Sequence, residues 1–174
     1  LVGQGANRQY VTIDEIPLDL QHAFVAIEDE RFYDHNGIDL HGIGRAFISG
    51  LSKGRFSEGA STITQQLIKN NVLTSWTSET SFVEKLQRKI QEQYLALELE
   101  KQVKDKDWIL ENYMNSVNLG ANTLGVQAAS KKYFNKDVSE LTLSEASVIA
   151  GITQNPSGYN PITCLLYTSD AADE

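Results

Sequence analysis

The chain has little of what would decide its class quickly. One cysteine in 174 residues excludes an intramolecular disulfide and any cysteine-based metal centre. No window approaches 18 consecutive apolar residues, which excludes a transmembrane helix within it. Prolines number three, Pro17, Pro156 and Pro161, so the long stretch between Pro17 and Pro156 contains no obligatory helix breaker. Basic residues are in the minority: 15 Lys and Arg against 23 Asp and Glu give a net charge of −8. An acidic chain is poorly suited to sequence-independent nucleic-acid binding, so no nucleic-acid partner is expected. Any anionic ligand must be held by a local cluster of cations. Strand-like alternation is nearly absent, as are repeats, a P-loop, a dinucleotide fingerprint and a nucleophile elbow. What remains, 41% hydrophobic and 22% charged, suits one globular domain with a single core.

The chain opens on Leu1 without a signal peptide and reads as part of a longer protein. Its last eleven residues, Cys164-Leu-Leu-Tyr-Thr-Ser-Asp-Ala-Ala-Asp-Glu174, read as a translated sequencing adapter. The domain is therefore expected over 1–163, with 164–174 a non-native tail. Without Asp170, Asp173 and Glu174 the balance is 20 acidic to 15 basic residues, a net of −5.

Periodicity and capping signals predict a mainly α, irregular single domain. Helices are expected over 18–33, with Leu20, Phe24 and Ile27 on one face, and over 41–52. Capping boxes at Thr62–Gln65, Ser81–Glu84 and Thr142–Glu145 open helices 62–73, 82–101 and 143–153. Asp105 caps 106–117, with Trp108, Ile109, Tyr113 and Val117 inward, and 123–133 reads as a further helix.

Three features could carry chemistry. Glu28 projects between Phe24 and Phe32, and a carboxylate between aromatic rings loses hydration, one route to a tuned acid or base. Patterning by itself favours a solvated glutamate. Lys85, Arg88, Lys89 and Glu92 fall within roughly 100° of one helix face. Three neighbouring cations call for an anion, supplied by Glu92 or by a phosphate, and spacing by itself favours a solvated face. The polar loop from Ser57 to Ala60 enters a helix at Ser61 and Thr62, where unpaired amides could bind an anion, with Lys69 and Asn70 further along. One of Gln65 and Gln66 belongs in a site or core network. His22, His35 and His41 have no metal-ligand spacing. Trp76 and Trp108 read as core or membrane-proximal packing.

Taken in order, these segments resemble the signatures of the peptidoglycan glycosyltransferases, glycosyltransferase family 51. Glu28-Asp-Glu-Arg-Phe-Tyr-Asp-His-Asn-Gly37 is similar to the first. Gly59-Ala-Ser-Thr-Ile-Thr-Gln-Gln66 is similar to the second, Arg88-Lys-Ile-Gln-Glu92 to the third, and Lys106-Asp-Trp-Ile-Leu-Glu-Asn-Tyr-Met-Asn115 to the fourth. The stretch from Gly120 to Phe134, then Ala150-Gly-Ile-Thr-Gln-Asn-Pro-Ser157, continues the match over about 150 residues.

The resemblance implies a lysozyme-like, mainly helical domain on the extracytoplasmic face of the cell membrane. Its activity would be polymerisation of lipid II into β-1,4-linked glycan, with inversion and loss of undecaprenyl pyrophosphate. Its partners would be lipid II, the growing glycan chain and the outer leaflet of the cytoplasmic membrane. In the bifunctional class A penicillin-binding proteins a transpeptidase domain follows; a monofunctional form lacks it. Carried over residue by residue, Glu28 is the catalytic base and Glu92 the second catalytic carboxylate. Lys69, Arg88 and Lys89 neutralise the pyrophosphate. Ser61, Thr62, Gln65, Gln66, Asn70, Asp29, Phe32 and His35 line the substrate site. Lys106, Glu111 and Asn115 support its floor or touch the disaccharide, and Glu111 could equally be structural. No cofactor is required by the sequence; Mg2+ or Mn2+ near Glu92 stays open. The chain departs from the family pattern at Ala60, a usual Gly, and at Glu84, where an Arg is frequent. Segment 72–81 is long and polar and resembles the flap between donor and acceptor sites. A lysozyme-like hydrolase and a non-catalytic precursor-binding scaffold are the alternatives. The cations argue against the first, and the two retained glutamates argue against the second.

Overall fold

A computed structural model of the chain describes residues 9–45, 61–73, 81–162 and 164. The expectations on Ala60, Trp76, segment 74–80 and the tail beyond Cys164 fall outside these residues, as does 46–52 of the helix expected over 41–52. Its first part is helical at 40–45. The described helices are α1 (Leu18–Glu28), α2 (Ile63–Asn71), α3 (Phe82–Val103), α4 (Lys106–Met114), α5 (Val126–Phe134) and α6 (Leu143–Ile152). Among the described residues the β content is one isolated bridge, Asn118 with Leu124. The mainly α fold is therefore as the sequence indicates.

The chain forms two compact units, one of residues 1–27 with 111–174 and one of residues 28–110. In the first unit, Phe24 of α1 meets Tyr113 edge-on with ring centroids 6.1 Å apart, and both are fully buried. Leu20, Met114, Leu119, Ile149 and Ile152 share this buried set. Each such side chain contributes about 1.5–3 kcal/mol by leaving water. Segment 10–16 is tied down by polar contacts. Asn115 accepts from the Val11 amide at 2.9 Å and donates to the Val11 carbonyl at 2.8 Å. Glu111 accepts from the Ile13 amide at 2.6 Å and from the Tyr10 hydroxyl. In the second unit α2 packs on α3, burying Ile63, Leu67, Ile68 and Ala96.

Several sequence expectations need correction. The helix expected over 18–33 stops at Glu28, and residues 30–34 form turns, with Phe32 N–H bonded to the Asp29 carbonyl at 2.8 Å. Asp29 leaves the helix because its carboxylate serves other donors, described below. Ile27 is 40% exposed: the stripe that buries Leu20 and Phe24 ends a turn before it. Trp108 is 43% exposed, not inward. The buried arc of α4 runs through Ile109, Leu110, Tyr113 and Met114, and Trp108 sits roughly 100° outside it. The Ser81 and Thr142 capping boxes form with both arms. At Thr62 one arm forms, Thr62 accepting from the Gln65 amide, while the Gln65 side chain goes elsewhere.

Candidate active site

The second unit gathers most of the candidate residues around the start of α2. Thr62 precedes the helix in extended geometry, and its Oγ1 caps the Gln65 amide at 3.2 Å. The Ile63 amide donates to Asp29 Oδ2 at 3.0 Å. Two of the amides expected to await an anionic ligand are thus satisfied from within, one by a buried carboxylate. The helix start holds Asp29 rather than standing open for a phosphate.

Asp29 is held in turn by His35, whose Nε2 lies 2.9 Å from Oδ1 and 3.0 Å from Oδ2. The Gly37 amide donates to His35 Nδ1 at 3.2 Å. Nδ1 therefore acts as acceptor, which places the ring proton on Nε2, facing Asp29. His35 is a satisfied histidine, as the absence of ligand spacing indicates. The Gly37 carbonyl accepts from Thr62 Oγ1 at 2.8 Å and from Gln65 Nε2 at 3.2 Å. Gly37 takes φ +87°, and a β-carbon there would lie 2.7 Å from the Ala96 carbonyl oxygen. Only glycine fits this close approach to α3.

The adjacent glutamines divide as expected. Gln65 is 1% exposed and belongs to the core network with Gly37. Gln66 is half-buried and donates from Nε2 to Glu28 Oε2 at 2.7 Å. Glu28, the last residue of α1, is half-buried as well. Phe32 is fully buried, but from the turn rather than from a continuing helix.

On α3 the stripe gathers on Glu92, which is 2% exposed. Arg88 Nη1 bonds to one Glu92 oxygen and Lys89 Nζ lies 3.2 Å from the other. Lys89 also donates to Ser61 Oγ at 2.5 Å, linking α3 to the residue before the Thr62 cap. Arg88 and Lys89 remain partly exposed, so their charge is presented to solvent while Glu92 is not. Lys69, Asn70 and Lys85 lie on the surface. Both Glu92 oxygens face cations, and no group of three His, Cys, Asp or Glu among the described residues could hold a metal ion. The donor set at Glu92 does not fit a protein-held divalent ion. Glu84, where the family often has Arg, takes its place in the Ser81 capping box of α3.

Lys106 is partly buried and committed. Its Nζ lies 2.6 Å from Glu100 Oε2, donates to the His35 carbonyl at 2.6 Å, and stands 4.5 Å from the Phe32 ring centroid. Thr64 Oγ1 donates to the other Glu100 oxygen at 2.5 Å. Glu100 and Thr64 do not emerge from sequence reasoning. Glu100 sits in the run Glu98-Leu-Glu-Lys101, which reads as solvated surface. Glu111 and Asn115 belong to the first unit, where their polar groups hold segment 10–13. For them the structural role is the one on view.

The arrangement comprises a carboxylate oriented by an amide, a pair of partly exposed cations fixed by a buried carboxylate, and a polar helix start. It can accept a proton at one point and stabilise negative charge at another. A transglycosylase family model matches residues 1–173. Penicillin-binding protein 1A of Clostridium botulinum is 50% identical over 161 residues, covering 89% of this chain and 18% of that protein. Penicillin-binding protein 1F of Bacillus subtilis is 46% identical over 156 residues, 90% of this chain and 21% of that protein. Penicillin-binding protein 1A of Neisseria flavescens is 46% identical over 156 residues, 90% and 18% respectively. The chain spans about a fifth of the length of these curated relatives. With the match running over nearly its whole length, the chain belongs to the transglycosylase family.

Proposed function

We propose that this domain is a peptidoglycan glycosyltransferase that polymerises lipid II into β-1,4-linked glycan on the extracytoplasmic face of the cell membrane. The observation that carries the reading is the convergence on α2 of three sequence segments: Gln66 bonds to Glu28, and Ser61 bonds to Lys89, which with Arg88 holds Glu92. The acceptor is the sugar 4-hydroxyl of lipid II, a weak nucleophile whose proton must leave as attack develops. Glu28 takes it as general base, and Gln66 fixes which way the carboxylate faces. The donor is a growing chain bound through its reducing-end sugar to undecaprenyl pyrophosphate. That leaving group needs neutralisation rather than a proton, and Arg88, Lys89 and Lys69 supply it. Glu92 orients the first two, as its two hydrogen bonds favour. Attack opposite the leaving group inverts the anomeric carbon. Thr62, Gln65, Asp29, Phe32 and His35 shape the site, and Asn70 lines it from α2. Mg2+ or Mn2+, where used, is carried by the substrate phosphates rather than by a cage of protein ligands.

The parent protein is a bifunctional penicillin-binding protein in this reading, with a transpeptidase domain beyond this segment. No helix among the described residues is long and apolar enough to cross a membrane.

Lipid II turnover by the full-length anchored parent, with and without Glu28→Gln, tests the reading. Polymer from the parent and a loss of at least about 100-fold in a folded, lipid II-binding mutant is the expected result. Release of disaccharide without polymer would instead indicate a hydrolase. Binding without turnover by either form would indicate a scaffold.

A further inference from the structure

We propose that Glu100 is a positioning residue for glycosyl transfer, acting through Thr64 and Lys106; the inference rests on the function proposed above. Glu100 is 7% exposed, and a carboxylate so far out of water persists only when its oxygens are matched by donors. The two donors come from different elements. Thr64 Oγ1, within the first turn of α2, meets Oε1 at 2.5 Å, and Lys106 Nζ, at the start of α4, meets Oε2 at 2.6 Å. Lys106 passes the constraint on. A second proton goes to the His35 carbonyl at 2.6 Å, and the ammonium lies against the face of Phe32.

One carboxylate on α3 therefore fixes two backbone segments. The first is α2 at Thr64, which lies between the Thr62 cap and Gln66, the donor to Glu28. The second is the turn 29–37, where His35 holds Asp29, the residue next to Glu28, and Asp29 holds the Ile63 amide. Glu28 is thus constrained from both sides by parts that Glu100 locks. Glu100 follows Glu92 by eight residues on the same helix, about 12 Å along its axis. A group touching Glu92 and its two cations is beyond direct reach of Glu100, so its influence on the reaction is indirect. Neither Thr64 nor Lys106 can take over from it. A hydroxyl and an ammonium, left without the carboxylate, would lose their common anchor.

The test uses the full-length anchored parent and compares Glu100→Gln, Thr64→Val and Thr64→Ser for kcat and KM on lipid II, each normalised to folded protein by circular dichroism. Thr64→Val keeps the shape and the Lys106 pair but removes the donated proton; Thr64→Ser restores that proton. The expected result is a 10- to 100-fold fall in kcat for Glu100→Gln, a smaller fall for Thr64→Val, KM within threefold throughout, and recovery in Thr64→Ser. A role in stability alone would lower the melting temperature and leave kcat per folded molecule unchanged. The inference is overturned by kcat within twofold of the parent in both Glu100→Gln and Thr64→Val, by a loss confined to KM, or by Thr64→Ser as impaired as Thr64→Val. Should Glu100→Gln not fold, the Thr64 pair decides. A parent that makes no polymer sinks the proposed function and this inference with it, whereas an active parent with unimpaired variants sinks this inference alone.

Discussion

Gly37 shows how much one residue can carry here. Its amide orients His35, its carbonyl receives Thr62 and Gln65, and its missing side chain admits the backbone of α3. A methyl group at φ +87° and 2.7 Å from a carbonyl oxygen cannot be relieved by a flexible side chain, since the obstacle is backbone. Gly37→Ala is expected to lower unfolding free energy by about 1–3 kcal/mol. Urea denaturation with an unchanged m-value measures it, and a change below about 0.5 kcal/mol would show that the turn relaxes freely. Glu92 is the other single residue whose environment is decisive. Glu92→Gln leaves Arg88 and Lys89 with a neutral partner. Both cations can turn to water, so the expected loss of stability is moderate, about 1–3 kcal/mol, with a larger loss of turnover. A mutant of full activity would remove Glu92 from the mechanism. Of these residues, Glu92 stood out in the sequence by its spacing from Arg88. Gly37 entered only as the last residue of the first signature, because a close approach to Ala96, 59 positions away, leaves no local mark.

Helix starts were legible where the capping chemistry is local. The Ser81 and Thr142 boxes close within four residues, so a short motif contains all the atoms involved. Thr142→Ala is expected to cost about 1 kcal/mol, visible as a lowered midpoint in thermal unfolding. No shift would mean that Glu145 alone holds the start of α6. Legibility fails where a side chain has a better distant partner. Gln65 leaves its box for the Gly37 carbonyl, and Asp29 ends α1 early to serve Ile63 and His35. The sidedness of α4 fails for another reason. Its buried arc is set by four residues from Ile109 to Met114, and a large apolar side chain at Trp108 reads as inward while lying off that arc.

At the scale of the molecule, acid and alkaline stability draw on different groups, lowered carboxyls such as Glu145 and raised tyrosines such as Tyr10. Lys136 and the Thr142 amide hold the Glu145 carboxyl down at about 2, from an ordinary 4.5. A lowered carboxyl contributes stability that is complete above about pH 4.5 and fades as pH falls towards 2. The bond to Glu111, aided by burial, pushes the Tyr10 hydroxyl up from 10 to about 12, so its contribution is complete below pH 10 and fades as pH rises through 12. Glu145→Gln should flatten the acid limb of a melting temperature–pH curve, and Tyr10→Phe the alkaline limb. An unchanged slope in either window would remove that residue from the account. The sequence by itself determined the mainly α class and most helix starts, because each depends on residues within a turn or two of one another. It also identified the family, because ordered motifs survive without knowledge of their contacts. Only the tertiary structure decided that Asp29 occupies the start of α2, that Gln66 rather than Gln65 meets Glu28, and that Glu100 is buried. Those outcomes depend on donors and acceptors tens of residues apart, and burial selects among them by penalising whichever polar group is left without a partner.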